Sequence, residues 1–211
     1  MADDPSADNI SSPSSASGES DRWWTRFRPA ASDSDPRTLG KWIAAFASLY
    51  GLVTIGLGMY WSQTPDTFDV RQSAAQYAAL TEQEVVTGSV TVAALQETIR
   101  TLLEKPGGYL HNDVFPPGVW LDNTPNWEYG VLVQSRDLAR ALREVLSRSQ
   151  SQSKEDVDLT LAEPRINFQS DSWILPASES EYRDAGRFLE RYRARLALTG
   201  ENSAQFYARA D

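Results

Sequence analysis

A chain of 211 residues with a formal net charge of −9, no cysteine and one histidine excludes several function classes at once. The acidic balance argues against a general nucleic-acid binder, which needs basic surface to displace counterions from phosphates. Without cysteine there is no disulfide, thiolate zinc site or cysteine nucleophile, and His111 alone cannot supply a multi-histidine metal site; no metal or cofactor is expected.

Residues 1–36 are rich in Ser, Asp, Ala and Pro. Such a segment buries too little apolar area to offset its ordering entropy and is expected to be a disordered tail. Within it, Trp23-Trp24-Thr25-Arg26-Phe27-Arg28 sets aromatic rings among arginines. The cluster could rest on an anionic membrane surface or dock a partner. Six residues make a poor amphipathic helix, however, and supplying basic charge beside a membrane is the simpler role.

Residues 37–63 hold the stretch that organises the chain. From Trp42 to Trp61 the sequence WIAAFASLYGLVTIGLGMYW carries no charge. Its roughly 20 residues, at about 1.5 Å each, span a bilayer's hydrocarbon core of about 30 Å. Tryptophans at both ends, with Tyr60, suit the lipid–water interface. A cleavable signal is disfavoured by the length of the run, its start some forty residues into the chain and the lack of a small-x-small site after Trp61. Arg22, Arg26, Arg28, Arg37 and Lys41 precede the span, whereas only Arg71 follows within a comparable distance. The positive-inside rule therefore predicts a cytoplasmic amino end and a folded part across the membrane. Ala47, Gly51 and Gly58 share one helical face, a spacing that can bring two such helices together as a homodimer.

Residues 64–211 are long enough for one domain with its own core. The Ala- and Gln-rich composition predicts a helix over Phe68–Thr81, and the spacing predicts one over Thr91–Glu104, with Val92, Leu95, Ile99, Leu102 and Leu103 inward and stopped by Pro106-Gly107-Gly108. The run YLHNDVFPPGVWLDNTPNWEYG (Tyr109–Gly130) combines prolines and turn residues with Tyr109, Phe115, Trp120, Trp127 and Tyr129. These rings should not stay solvated, so a rigid, aromatic-packed loop is expected. Thr124 and Pro125 read as N-cap and first position of the next helix, with Glu128 near its positive end. That helix reaches to about Arg148 on a stripe of Trp127, Val131, Leu138, Leu142 and Val145. SRSQSQS (Ser147–Ser153) reads as a soluble linker or exposed helix end, and Ile166-Asn167-Phe168 as a possible short strand. Ser178 and Glu181 form a capping box opening a helix with Tyr182, Ala185, Phe188, Leu189, Tyr192 and Leu196 inward and ended by Gly200. Ala204–Asp211 reads as the start of another helix. The expected fold is thus mainly α: one amino-terminal transmembrane helix, then a helical extracytoplasmic domain with a long aromatic, Pro-rich loop.

The run KPGGYLHNDVFPPGVWLDNTPNWEYGVLVQSRDLARALRE (Lys105–Glu144) resembles a group of Gram-negative inner-membrane proteins known as domain of unknown function twenty-three thirty-three. SRSQSQS, AEPRINF (Ala162–Phe168), SWILPASESEYR (Ser172–Arg183) and AQFYARAD (Ala204–Asp211) are similar to the same family. The resemblance implies a bacterial inner-membrane anchor with a periplasmic domain, and a chain that in relatives continues further, so that this one reads as truncated. It implies no activity, and no catalytic residues carry over.

Two readings compete for the residues themselves. Asp113, Asp122 and Glu128 with His111 could form an acidic cluster, since paired carboxylates cleave glycosidic bonds and oxygen ligands hold hard cations. Asp and Asn are also the ordinary residues of turns and helix starts. Trp120, Trp127 and Tyr129 could present a flat surface to a sugar or to another protein, or pack inward. No serine lies in a nucleophile elbow, and no glycine loop opens a helix to cradle phosphate. The expected function is an anchored envelope accessory or scaffold protein rather than an enzyme, with the lipid bilayer and an envelope protein as partners. The alternative is a hydrolase or binding module for envelope glycan that uses the 109–130 loop.

Overall fold

The computed structural model describes residues 36–148 and 154–208. The tail, its Trp23–Arg28 cluster and residues 149–153 of the polar linker lie outside the described residues. Six α-helices run in order: α1 (Pro36–Trp61), α2 (Val70–Leu80), α3 (Ser89–Glu104), α4 (Asn123–Ala141), α5 (Val157–Ile166) and α6 (Ser178–Leu196). No strand occurs among the described residues. The backbone divides into two units, residues 1–47 and 48–211, with the boundary inside α1.

By length and composition α1 is able to cross a membrane, and it is the only such helix among the described residues. Its apolar side chains lie open: Phe46 keeps 73% and Leu52 69% of its surface. Thr54 is its one buried residue, with its hydroxyl turned back to the Tyr50 carbonyl.

Within residues 48–211 the helices enclose one core. Helix α3 packs against α2, α4 and α6, and α5 is held between α4 and α6. Val92, Leu95 and Ile99 of α3 meet Leu132 and Ala139 of α4, Leu159 and Ile166 of α5, and Tyr182, Leu189 and Tyr192 of α6. Each large apolar side chain removed from water contributes about 1.5–3 kcal/mol, which is what holds short helices that would fray alone. Local chemistry fixes the starts. Asp69 accepts the amides of Arg71 and Gln72 at 2.8 and 2.9 Å to cap α2. Asp156 accepts those of Asp158 and Leu159 to cap α5. Gly88 opens α3 at φ +94°, where a β-carbon would meet the Phe206 ring at 2.4 Å.

Five sequence expectations are corrected here. The stripe of α4 is turned over its first part: Glu128, Leu132, Ser135 and Ala139 face the core and Trp127 keeps 39% of its surface, while Leu138 and Leu142 pack inward as expected and Val145 is exposed. The turn arises because an acid, Glu128, is buried with a cation instead of facing water. Thr124 does not cap α4, which starts at Asn123; its hydroxyl lies 3.4 Å from the Trp61 carbonyl. Ser178 does not form a capping box, because its hydroxyl donates to the Gln169 and Ser172 carbonyls. The possible strand at Ile166–Phe168 is the end of α5, whose Leu159, Ala162 and Ile166 share a buried face; Pro164 is accommodated near the last turn. Ala204–Ala208 is not helical: Tyr207 donates its amide to the Leu146 carbonyl at 2.7 Å, and Ala204 to that of Arg195 at 2.9 Å. Helix α4 continues through a π turn, Leu142–Leu146, closed by the Ser147 amide on Leu142.

Candidate functional site

The 105–130 region is where the candidate residues converge, and it is built around Glu128. Helix α4 carries this carboxylate into the core, where no part of the residue is exposed. Lys105, at the end of α3 and equally buried, forms an ion pair with it. The amides of Leu110 and His111 donate to Glu128 at 2.9 and 2.7 Å. Lys105 also donates to the Gly108 carbonyl, so that the turn after α3 wraps around its own lysine. Burial pushes the Glu128 carboxyl up, while Lys105 and the two amides oppose that shift. This is a clamp that fastens the loop to α4, and it leaves Glu128 no face toward a substrate.

The other two acids have different surroundings. Asp122 is exposed and accepts from the Asn126 side chain at 2.7 Å. Asp113 is half-buried against Gly118, where a β-carbon would come within 2.0 Å of Asp113 Oδ2. Burial pushes its carboxyl up, helped by the neighbouring Glu179 and opposed by Lys105. His111 lies 3.2 Å from the Pro125 carbonyl through Nδ1 and stacks on Tyr129, with centroids 5.4 Å apart. Among the described residues no group of three or more His, Cys, Asp or Glu is arranged to hold a metal ion.

The rings divide into two sets. Tyr109 is buried, edge-on to Tyr182 at 5.5 Å, and donates to the Ser170 carbonyl. Phe115, Trp120 and Tyr129 are exposed, contrary to the expectation of an aromatic-packed loop. Trp127 lines an apolar pocket of about 320 Å³ with Phe68, Leu95, Val131 and Leu138. A polar cleft of about 410 Å³ lies elsewhere, between Lys154, Asp156, Arg195, Glu201 and Tyr207. Neither cavity is lined by Asp113, Asp122, Glu128 or His111.

Sequence reasoning missed Lys105 and Asn112. Lys105 reads as an ordinary solvated residue at a helix end; its signal is its place directly before Pro106-Gly107-Gly108. Asn112 is buried and donates to the Ser172 carbonyl and to Glu179, at 2.9 and 3.0 Å, joining the loop to the start of α6.

Residues 37–211 match the model of a family described as "Uncharacterized protein conserved in bacteria (DUF2333)". The chain belongs to this family. The match takes in α1 from its second residue onward and all that follows, including the clamp. No curated protein and no solved structure matches this DUF2333 chain.

Proposed function

We propose that this DUF2333 protein is an accessory or scaffold protein of the bacterial envelope, held in the inner membrane by α1, with its amino end cytoplasmic and its helical domain periplasmic. The observation that carries the reading is the open apolar surface of α1, set against a domain whose most buried acid is committed to structure. A helix of 26 residues with Trp42, Phe46, Leu52 and Met59 all exposed needs lipid around it. The basic flank before Trp42 supports the orientation. An envelope protein partner belongs to the same reading.

A homodimer through Ala47, Gly51 and Gly58 is narrowed by the packing. A methyl group at Gly58 would lie 3.5 Å from Pro117 Cβ and 4.0 Å from Leu121, so this glycine already has neighbours in its own chain. Pairing would rely on Ala47 and Gly51.

A glycan hydrolase needs two carboxyl groups flanking a cleft, and Glu128 has no exposed surface. The test uses Asp113→Asn and Asp122→Asn, each expressed in place of the wild-type chain. The scaffold reading expects both to complement the envelope defect of a deletion. A folded variant that behaves like the deletion would put a hydrolase first. A reporter active only in the cytoplasm, fused after Asp211, should stay silent; activity would reverse the orientation.

A further inference from the structure

Two loops without a charged residue meet beside the carboxy-terminal end of α1. The first is Val114–Leu121 and the second Ser172–Ser178. The Asn112 side chain donates to the Ser172 carbonyl, and the Phe115 and Trp173 rings meet edge to face at 5.6 Å. Their apolar side chains point away from the core: Leu175 keeps 92% of its surface, Trp120 67% and Phe115 64%. Val119, Trp173 and Ile174 are exposed with them. A soluble surface rarely gathers so many large apolar groups without something to cover them.

The first loop is docked on α1 itself. Pro117 and Leu121 lie over Gly58, and the Thr124 hydroxyl is 3.4 Å from the Trp61 carbonyl. A β-carbon at Gly107, where φ is +86°, would meet the Trp61 ring at 2.7 Å, so the ring is seated against the turn after α3. These contacts make the exit from α1 a fixed joint. Gly58 is three residues before Trp61, about 5 Å further along the helix toward the apolar stretch. The loop tip therefore lies at the level where an embedded α1 would pass from hydrocarbon to headgroups. Tryptophan and apolar side chains are favoured at that depth, about 5–10 Å into the headgroup and acyl boundary.

We infer that Phe115, Val119, Trp120, Trp173, Ile174 and Leu175 form a lipid-embedded platform that beds the helical domain into the leaflet from which α1 emerges. The occupant is that same bilayer, because the platform is continuous with α1 through Pro117 and Gly58. Asp113, Asp122 and Asp171 flank the loops, and neither loop carries a cation. Insertion thus runs on ring and aliphatic burial rather than attraction to anionic headgroups. The platform rests on the membrane-anchor reading of α1.

The chain has no cysteine, so single spin labels can be placed on the full-length protein in phosphatidylcholine vesicles. Leu52→Cys reports on α1, Trp120→Cys and Leu175→Cys on the two loops, and Leu198→Cys on the far end of α6. Each is used only if its circular dichroism and unfolding midpoint match wild type; if a loop variant fails, Val119→Cys stands in for the first loop and Ile174→Cys for the second. The expected result is oxygen contact exceeding nickel-chelate contact severalfold at 52, 120 and 175, and the reverse at 198. The depths at 120 and 175 should not change with high salt or added anionic lipid. Water contact at 120 and 175 with 52 in lipid would overturn the platform alone and leave a protein partner as the cover. Water contact at 52 would overturn the anchor reading and the platform with it. Labels at 120 and 175 shielded from both reagents and broadened by a second spin would put another copy of the chain there. Lipid contact at all four sites would deny the two loops any special role. Each of these last outcomes also overturns the proposal.

Discussion

Lys105 and Glu128 form an ion pair that water does not reach: the lysine keeps 1% of its side-chain surface and the glutamate none. Removing one member of such a pair leaves an uncompensated buried charge, which typically costs about 3–5 kcal/mol. Lys105→Met should therefore destabilise the domain by about that amount, a large share of an ordinary 5–15 kcal/mol total. Adding Glu128→Gln should restore part of the loss, because the amide oxygen can still accept from Leu110 or His111 while the stranded charge is gone. Urea unfolding of the full chain, run as a double-mutant cycle, measures the coupling. Additive losses would mean that the two groups do not act as a pair.

Leu132→Ala should cost more stability than Trp127→Ala, although it removes the smaller side chain. Leu132 keeps 1% of its surface within the core, whereas Trp127 keeps 39% on the wall of an open pocket. A buried Leu→Ala costs about 2–5 kcal/mol with its cavity, and the tryptophan falls short of the 3–5 kcal/mol of a fully buried ring. Unfolding midpoints of the two variants, compared at equal slope, check the order. The reverse order would restore the stripe through Trp127 and Val131.

These two cases show what was legible in the chain. Periodic apolar spacing locates α3, α4 and α6, because those faces must be buried whatever they meet, and the Ala- and Gln-rich composition locates α2. The same spacing misjudged the rotation of α4, since it counts every charge as outward and Glu128 is inward with a partner 23 positions earlier in sequence. Such a pair leaves no local pattern. The short run Ile166-Asn167-Phe168 reads as a strand when taken alone, yet Asp156 caps α5 and the α4 and α6 surfaces hold it. The rings of the 109–130 loop show the opposite error. Aromatic content predicts burial, which is found for Tyr109 and not for Phe115. Whether a loop ring faces core or surroundings depends on the neighbouring chain, here Trp173 and the end of α1.

Stability should fall as alkali is added above pH 10. Burial, and then the hydrogen bond to Glu97, raise the Tyr77 hydroxyl from 10.0 to about 12. Burial raises Tyr109, Tyr182 and Tyr192 as well. In each case the folded state keeps a proton that the unfolded chain releases. The contribution is therefore complete below the unfolded value of 10.0 and is lost as pH climbs through the folded value, for Tyr77 at about 12. Urea midpoints across that window should decline, and less steeply in Tyr77→Phe. A flat profile in wild type would show these hydroxyls to be equally free in both states.

Asp156 does two jobs that substitution can separate. Its Oδ1 accepts the amides of Asp158 and Leu159, at 2.9 and 3.3 Å, capping α5. Both carboxylate oxygens also accept from Arg195, at 2.6 and 2.8 Å, tying the start of α5 to the end of α6. Asn caps a helix about as well as Asp, so Asp156→Asn keeps the first job and gives up most of the second. Asp156→Ala loses both. Loss of a cap alone costs about 0.5–2 kcal/mol. The ordering expected is wild type above Asp156→Asn above Asp156→Ala, with the second step of cap size. Arg195→Met on the Asp156→Asn background should add less than it does on wild type, because only its contact with Asp158, at 2.7 Å, is left to lose. Salt separates the steps further: the ion-pair step should shrink at high ionic strength, and the cap step should not. If Asp156→Asn and Asp156→Ala unfold at the same urea concentration, the cap contributes nothing. In that case the start of α5 is held by packing of Leu159, Ala162 and Ile166 alone.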